Sequence, residues 1–500
     1  MQDKQQRAID ALQSFLHTPL DAALKRHVRH SPEIEALRLF HEVAITVPAY
    51  GAFLKEHGIE TAAIQRPEDF RGLPLTSKQN YLLQHPLSDL CRHGSLESCD
   101  MIAVSSGSTG KPGFWPRFVS DEFPIAFRFE QVFHDSFEAY RRHTLAVVCF
   151  ALGTWVGGMY TTACCRHLAT KGYSIAVVTP GNNKEEIFRV VEELGPRFHQ
   201  VVLLGYPPFI KDVVDSGLSR GIHWSKYCIK LVLAGEVFSE EWRSLVCERV
   251  GSSNPYYDSA SFYGTADAGV LGNETPLSIC IRRYLSLHPG IARELFGESR
   301  LPTLVQYDPL TRFFETTNGT LLFTGDNGIP LIRYHISDEG GVIPYDEMLN
   351  FLALRYFDPV AELLRSGRRQ GIRSLPFAYV FGRSNFVVSY FGANIYPENV
   401  TVGLEQKGIR EWVTGKFVME SREDPHQNRS LSIVVELAPG ESASPERQKA
   451  AADAILQQLC RLNSEFAHYV PAEHQTPQVV LRPAGDLEWF PQGVKHRYTR

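Results

Sequence analysis

The chain has no Cys-x-x-Cys pair among its nine cysteines, and Cys164 and Cys165 stand side by side. That spacing argues against a structural zinc site and against a disulfide framework, so a reducing, cytoplasmic setting is expected. There is no basic run and no interleaving of basic with aromatic residues, and the net charge is -5, which excludes an obvious nucleic-acid footprint. The opening residues, MQDKQQRAID, contain no apolar core of a secretory signal. A long uninterrupted hydrophobic run is missing too. The one extended uncharged stretch, Leu145 to Cys165, is broken by Gly153, Gly157 and Gly158, with Thr154 and Trp155 between them. A membrane helix is more uniformly apolar, so no membrane insertion is expected. A buried strand, a Gly-rich turn and a helix start fit this stretch better.

What remains is an ordinary globular composition, 43% hydrophobic and 21% charged. Its 500 residues exceed what one core usually serves, so two or more domains are expected. Residues up to about 60 carry apolar positions at helical spacing: Leu12, Phe15 and Leu16, then Leu37, Leu39 and Phe40. Leu73-Pro74-Leu75-Thr76-Ser77-Lys78 reads as a helix start capped by Thr76 or Ser77.

The densest chemical signal is Ser105-Ser106-Gly107-Ser108-Thr109-Gly110-Lys111-Pro112. Small residues let backbone N–H groups converge on an anion, hydroxyls add donors, and Lys111 ends the loop with a point charge. A polyphosphate needs this set. The Walker loop is excluded, because Ser105 stands where its first Gly belongs and Pro112 where its hydroxyl belongs. A flexible Ser/Gly linker is the bland alternative.

Beyond it, Thr144–Phe150, Ser174–Thr179, Gln200–Gly205 and Ile229–Gly235 read as strands, with Glu185–Leu194 and Glu240–Val250 as helices. Tyr256–Phe262 is strand-like as well. Alternation of this kind predicts a largely parallel, helix-covered sheet with ligands at strand ends. Leu304–Asp308, Gly319–Thr324 and Pro330–Tyr334 then predict a smaller β-rich subdomain. Ser430–Glu436, a helix over Pro445–Phe466 and Gln478–Leu481 complete a small α+β unit.

The octet resembles the phosphate loop of the adenylate-forming (acyl- and aryl-coenzyme A synthetase) superfamily, and its surroundings resemble the phenylacetate–coenzyme A ligase-like branch. Matching pieces follow in family order from about Pro48 to the C-terminus. Val47-Pro48-Ala49-Tyr50 and the segment from Leu73 to Lys78 serve as landmarks. Ala234-Gly235-Glu236 resembles the adenine-contacting Gly-Glu loop, though a plain strand-to-helix turn accounts for it equally. Tyr263-Gly264-Thr265-Ala266-Asp267 resembles the Tyr-Gly-x-Thr/Ser-Glu motif. The resemblance implies that the Tyr263 ring packs on adenine, a hydroxyl meets the α-phosphate and Asp267 helps to hold Mg2+. Here the acid is shorter by one methylene, and the hydroxyl sits one place early, at Thr265, with Ala266 in the usual slot. Arg333-Tyr334-His335-Ile336-Ser337-Asp338 resembles the ribose-binding string, making Asp338 the acceptor of both ribose hydroxyls. Gly382-Arg383-Ser384-Asn385 resembles the interdomain junction, with Arg383 toward ribose or phosphate and Asn385 in place of the hinge Asp. The run from Phe391 to Asn399 resembles the opening of the C-terminal domain, and Lys495, on a terminal segment expected to be mobile, falls where the family carries its late catalytic Lys.

The resemblance thus implies an α/β fold: an N-terminal adenylation domain over residues 1–384, with helix-covered, largely parallel sheets and the β-rich subdomain, and a small mobile α+β domain over 385–500. A helical insertion over about 342–372, carrying Met348, Leu352, Leu363 and Leu364, is not explained by it. The implied reaction is ATP-dependent activation of a carboxylic acid to an acyl-adenylate, then transfer to coenzyme A. Phe150, Trp155 and Tyr160 favour an aryl or arylalkyl acid, although an aromatic stripe also serves as core. A carrier protein or an amine as acceptor stays open, as do a homodimer and a nucleotide-binding regulator without turnover.

Overall fold

The computed structural model describes residues 2–97, 99–105, 113–153, 156–235, 237–252, 254–298, 300–366, 371–383, 388–390, 393–423, 429–463, 466–467, 470, 472–491, 496 and 498–499. Four helices, Gln2–His17, Leu20–Leu24, Pro32–Thr46 and Pro48–Glu56, open the chain. Ser77, not Thr76, caps the helical turn Lys78–Leu82. Thr76 is fully buried and donates to the carbonyl of Ile332, 2.8 Å away.

Strands β1 (Met101–Ser105) and β2 (Gly113–Arg117) form a separate antiparallel hairpin. The main sheet begins with β3 (Thr144–Val148), β4 (Ile175–Val178), β5 (Gln200–Gly205), β6 (Ile229–Ala234), β7 (Ser259–Thr265) and β8 (Gly269–Asn273). It continues with β9 (Thr303–Gln306), β10 (Phe313–Thr317), β11 (Thr320–Gly325), β12 (Leu331–Ile343) and β13 (Phe377–Arg383). All eleven belong to one sheet of order β10-β11-β12-β13-β9-β8-β7-β6-β5-β3-β4. From β4 to β7 the strands are parallel, and from β7 to β10 every neighbour is antiparallel. The expected α/β class is therefore found, and the β-rich subdomain is the antiparallel half of the same sheet.

The parallel half is apolar on both faces, as helix-covered strands must be. Side chains alternate in β3: Ala146 and Val148 join the core beneath helices Val119–Gln131 and Val156–Thr170. Leu145 and Val147 join the opposite core, against helices Lys184–Leu194, Pro207–Ser219 and Glu240–Arg249. The antiparallel half packs on Pro32–Thr46 and Pro48–Glu56 through Phe40, Tyr50, Phe53, Leu321 and Phe323.

One strand expectation is corrected. Tyr256 and Tyr257 lie in the helical turn Pro255–Asp258, and the strand starts only at Ser259. Pro255 takes the first helical position, where its missing N–H costs nothing, and the buried Asp258 pairs with Lys230. The insertion forms two helices, Tyr345–Ala353 and Pro359–Arg365. Met348, Leu352 and Leu363 pack with Leu277, Ile281 and Leu285, so this excursion folds back on its own unit.

Strands β14 (Val388–Tyr390) and β15 (Ala393–Ile395) form a second hairpin. Beyond it, β16 (Val413–Glu423), β17 (Arg429–Leu437) and β18 (Gln478–Arg482) make a three-stranded sheet with its own core. Helices Pro397–Leu404 and Pro445–Leu462 cover it, meeting where a Cβ on Gly403 would lie 2.6 Å from the Ile455 backbone. Lys211, just beyond β5, donates to the Val413 carbonyl at 2.8 Å.

A second contact to this unit is a proton switch in stability. The Ser239 hydroxyl donates to Glu405, whose carboxyl is 5% exposed. Burial pushes Glu405 up to about 8, with Glu241 adding to the rise and Arg282 opposing it. Between the ordinary glutamate value of 4.5 and about 8, the folded state holds a proton that the unfolded state has lost. Stability therefore falls as pH rises through that window. Glu405→Gln should remove this slope: its melting temperature should match the wild type at pH 4.5 and exceed it increasingly toward pH 8. Parallel melting curves at all pH values would refute the assignment.

Candidate active site

The C-terminal ends of β3, β5, β6 and β7 bring several of the predicted residues together, as expected at the open end of a parallel sheet. Phe150 follows β3, and its buried ring meets Tyr206, just past β5, edge to face at 5.1 Å and 87°. Tyr206 in turn covers Gly235 at the end of β6. Gly235 has φ +91°, and a Cβ there would lie 2.5 Å from the Tyr206 ring. Only glycine fits that turn. The adenine-loop candidate and one acyl-pocket candidate thus share one aromatic wall. Tyr160, on helix Val156–Thr170, is 4% exposed and belongs to the same core as Phe150. Trp155 and Glu236 lie outside the described residues.

The nucleotide candidates converge across the sheet. Tyr263 on β7 donates its phenol to Asp338 Oδ2 on β12 at 2.7 Å, with both residues buried. Asp338 is the register partner of Arg383 on β13, so these two candidates are cross-strand neighbours. β12 reaches this point through bulges and two left-handed residues, Arg333 (φ +43°) and Ser337 (φ +63°). Each bulge re-aims the side chains that follow it, which is how a long edge-to-edge strand turns a carboxylate toward a neighbour's site.

Asp267 sits in the turn between β7 and β8, half-buried, and the Tyr334 hydroxyl donates to its Oδ2. Thr265 Oγ1 accepts from the Ala268 amide at 3.2 Å, so the early hydroxyl closes the turn. Gly264 has no room for a side chain, since a Cβ would lie 2.5 Å from the Gly269 carbonyl. Among the described residues no group of three His, Cys, Asp or Glu side chains could hold a metal by itself. A single carboxylate beside nucleotide phosphates nevertheless suits Mg2+, which takes one or two protein oxygens and completes its shell with phosphate and water.

In sequence, the predicted phosphate loop runs from the end of β1 to the start of β2. Ser105 ends β1 and pairs with Gly113 at the start of β2, while Ser106, Gly107, Ser108, Thr109, Gly110 and Lys111 lie outside the described residues. Asn385 and Lys495 lie outside them as well. The flanks of Lys495 are tied down rather than loose: His496 Nε2 is 2.7 Å from the Phe417 carbonyl, and Thr499 bridges to Met419 on β16.

Three residues central to this geometry escaped the sequence reading as functional groups. Tyr334 lies inside a quoted string, yet its role on Asp267 spans 67 positions. Arg117, at the end of β2, is 1% exposed and donates to the carbonyls of Ala266 and Asp267. Arg312 donates to the Ala268 carbonyl at 3.2 Å. A charged residue after a Gly-rich loop was the only available signal for Arg117.

No family model matches the sequence, and no curated protein matches it in sequence. Solved structures do match in fold. A 2-hydroxyisobutyryl-CoA ligase in the postadenylation state superposes with a TM-score of 0.63 at 14% identity, over 93% of this chain and 88% of that one. The same ligase in complex with 2-HIB-AMP and CoA in the thioesterification state gives 0.54 at 14% identity, over 97% of this chain and 93% of that one. The chain therefore has the fold of the adenylate-forming acyl-CoA ligases that its motifs resemble.

Proposed function

We propose that this chain is an AMP-forming ligase that activates a carboxylic acid as its acyl-adenylate and passes the acyl group to a thiol, coenzyme A. The observation that carries the reading is the hydrogen bond from Tyr263 to Asp338, which joins two nucleotide motifs 75 positions apart at one point. Fold alone does not imply activity; ordered motifs that meet in space support the reading.

In the first half-reaction a carboxylate oxygen attacks the α-phosphorus of ATP in line, and the bond to the pyrophosphate oxygen breaks. Pyrophosphate leaves and the mixed anhydride remains. The thiol sulfur then attacks the acyl carbon and AMP departs. Neither step needs a protein nucleophile; both need charge held in place. Lys111 and the hydroxyls of Ser106, Ser108 and Thr109 serve the phosphates. Asp338 holds the ribose hydroxyls with Arg383 beside it, and Tyr263 orients Asp338. Asp267, steadied by Tyr334, would hold Mg2+, which neutralises phosphate charge when bound. Residues 1–384 would carry these groups, and residues 385–500, pivoting at Asn385, would bring Lys495 to the α-phosphate.

Phe150, Trp155 and Tyr160 support an aryl or arylalkyl acid, within a phenylacetate–coenzyme A ligase-like branch and a cytoplasmic setting. The test is acid-dependent pyrophosphate release across a panel of aryl and fatty acids, followed by a screen of thiol and amine acceptors. Release with an aryl acid and thioester formation with coenzyme A are expected. No release with any acid would leave a nucleotide-binding protein without turnover.

A further inference from the structure

The turn between β7 and β8 is gripped from behind by two buried guanidiniums. Arg117 Nη2 takes the carbonyls of Ala266 and Asp267, and Arg312 Nη2 takes the carbonyl of Ala268. Three consecutive carbonyls are thus drawn toward one side. In a trans peptide the next N–H points the opposite way, so this grip turns the Asp267 and Ala268 amides outward. The Ala268 amide is then taken by Thr265 Oγ1. The Asp267 carboxylate accepts from the Tyr334 hydroxyl.

Both arginines are anchored independently of the turn. Arg117 ends β2 of the β1–β2 hairpin and lies over the Tyr160 ring at 5.7 Å. Its neighbour Pro116 is pressed against Gly328 so tightly that a Cβ there would lie 1.9 Å from the Pro116 carbonyl. Arg312 is locked to Asn327 Oδ1 at 2.9 Å, in the same 326–329 segment. The β1–β2 hairpin, the Asp267 turn and this segment therefore meet at one corner.

Resting on the ligase reading above, we propose that Arg117 and Arg312 are positioning residues that fix the Asp267 turn relative to the β1–β2 hairpin. This matters most in this chain because Ala266 occupies the slot where the resembling motif carries its hydroxyl. A turn that lacks that side-chain contact depends on backbone orientation to face the nucleotide. Arg117 is not a catalytic residue: its side chain is 1% exposed and its Nε is enclosed by protein.

The test uses the full chain with Arg117→Met, Arg117→Lys and Arg312→Met. Amide hydrogen exchange is read first, without ligand, and needs no activity. Faster exchange confined to residues 262–272 is expected in Arg117→Met, while exchange spread over the whole sheet, or unchanged exchange, would overturn the grip. ATP binding is read second, by calorimetry with Mg2+ and no acid. Arg117→Met should lose ~10-fold or more in affinity, the scale of one fixed charge-assisted contact. Should that variant fail to fold, Arg117→Lys carries the test. Both carbonyls are held by Nη2, and a lysine ammonium ends one bond short of that nitrogen on a flexible stem, so it should lose several-fold while keeping its melting temperature; wild-type affinity would refute the proposal. The two arginines share one turn, so their losses should be less than additive, and full additivity would separate them. If the wild type binds ATP but releases no pyrophosphate with any acid, the ligase reading fails while the exchange result still judges the grip.

Discussion

Lys495→Ala should lower adenylate formation from acid and ATP by about 10²–10³, the usual effect of removing one preorganised donor to developing charge. Supplied with preformed acyl-adenylate and coenzyme A, the same variant should make thioester at nearly the normal rate. The split follows from the proposed two-state use of residues 385–500, in which Lys495 meets the α-phosphate only during adenylation. A chain end is normally a place where substitutions are silent. This one is anchored on both sides of the lysine. Phe490 is buried beside Val418 and Trp489, and the Met419 amide donates to the Tyr498 carbonyl at 2.7 Å. The described residues that follow the lysine, His496, Tyr498 and Thr499, are therefore held on β16. Single-turnover measurement of each half-reaction decides it. Equal loss in both steps, or in neither, would remove Lys495 from the mechanism. Lys416, on β16 with its ammonium 3.2 Å from Glu436, would then be the next candidate.

Asp338→Ala should raise the apparent ATP constant by about 10²-fold or more, since two hydrogen bonds to a charged acceptor contribute about 1.5–3 kcal/mol each. ATP lacking both ribose hydroxyls should bind the wild type as poorly as ATP binds the variant. It should lose little further when variant and analogue are combined. That non-additivity is the signature of direct contact, and additive losses would place Asp338 elsewhere. Tyr263→Phe keeps the ring and deletes only the hydrogen bond to Asp338. Its effect should be smaller, about tenfold, and should fall on the same constant. A larger loss in Tyr263→Phe than in Asp338→Ala would reverse the order of dependence proposed here.

Much of the fold was legible because periodicity is local. Gln200–Gly205 is a strand with the bounds its apolar run indicates, and Thr144–Val148 and Ile229–Ala234 differ only at their ends. The two insertion helices were equally readable from the spacing of Met348, Leu352 and Leu363. Tyr256 misled because an aromatic, β-prone pair follows a proline that starts a helical turn, and the pairing of Asp258 with Lys230 is non-local. Motif order likewise placed Tyr263 and Asp338 as nucleotide candidates, but not the bond between them.

By itself, then, the sequence determined which segments are strands and helices, and which short strings resemble phosphate, ribose and metal motifs, because those depend on residues a few positions apart. Tertiary structure decided that the parallel and antiparallel strands make one sheet, that Gly235 is forced by Tyr206, and that the Asp267 turn hangs on Arg117 and Arg312. The physical reason is burial. An arginine in a sequence is a surface charge until the fold removes it from water. Only then must it find carbonyls, here 149 positions away, to replace the hydrogen bonds it has lost.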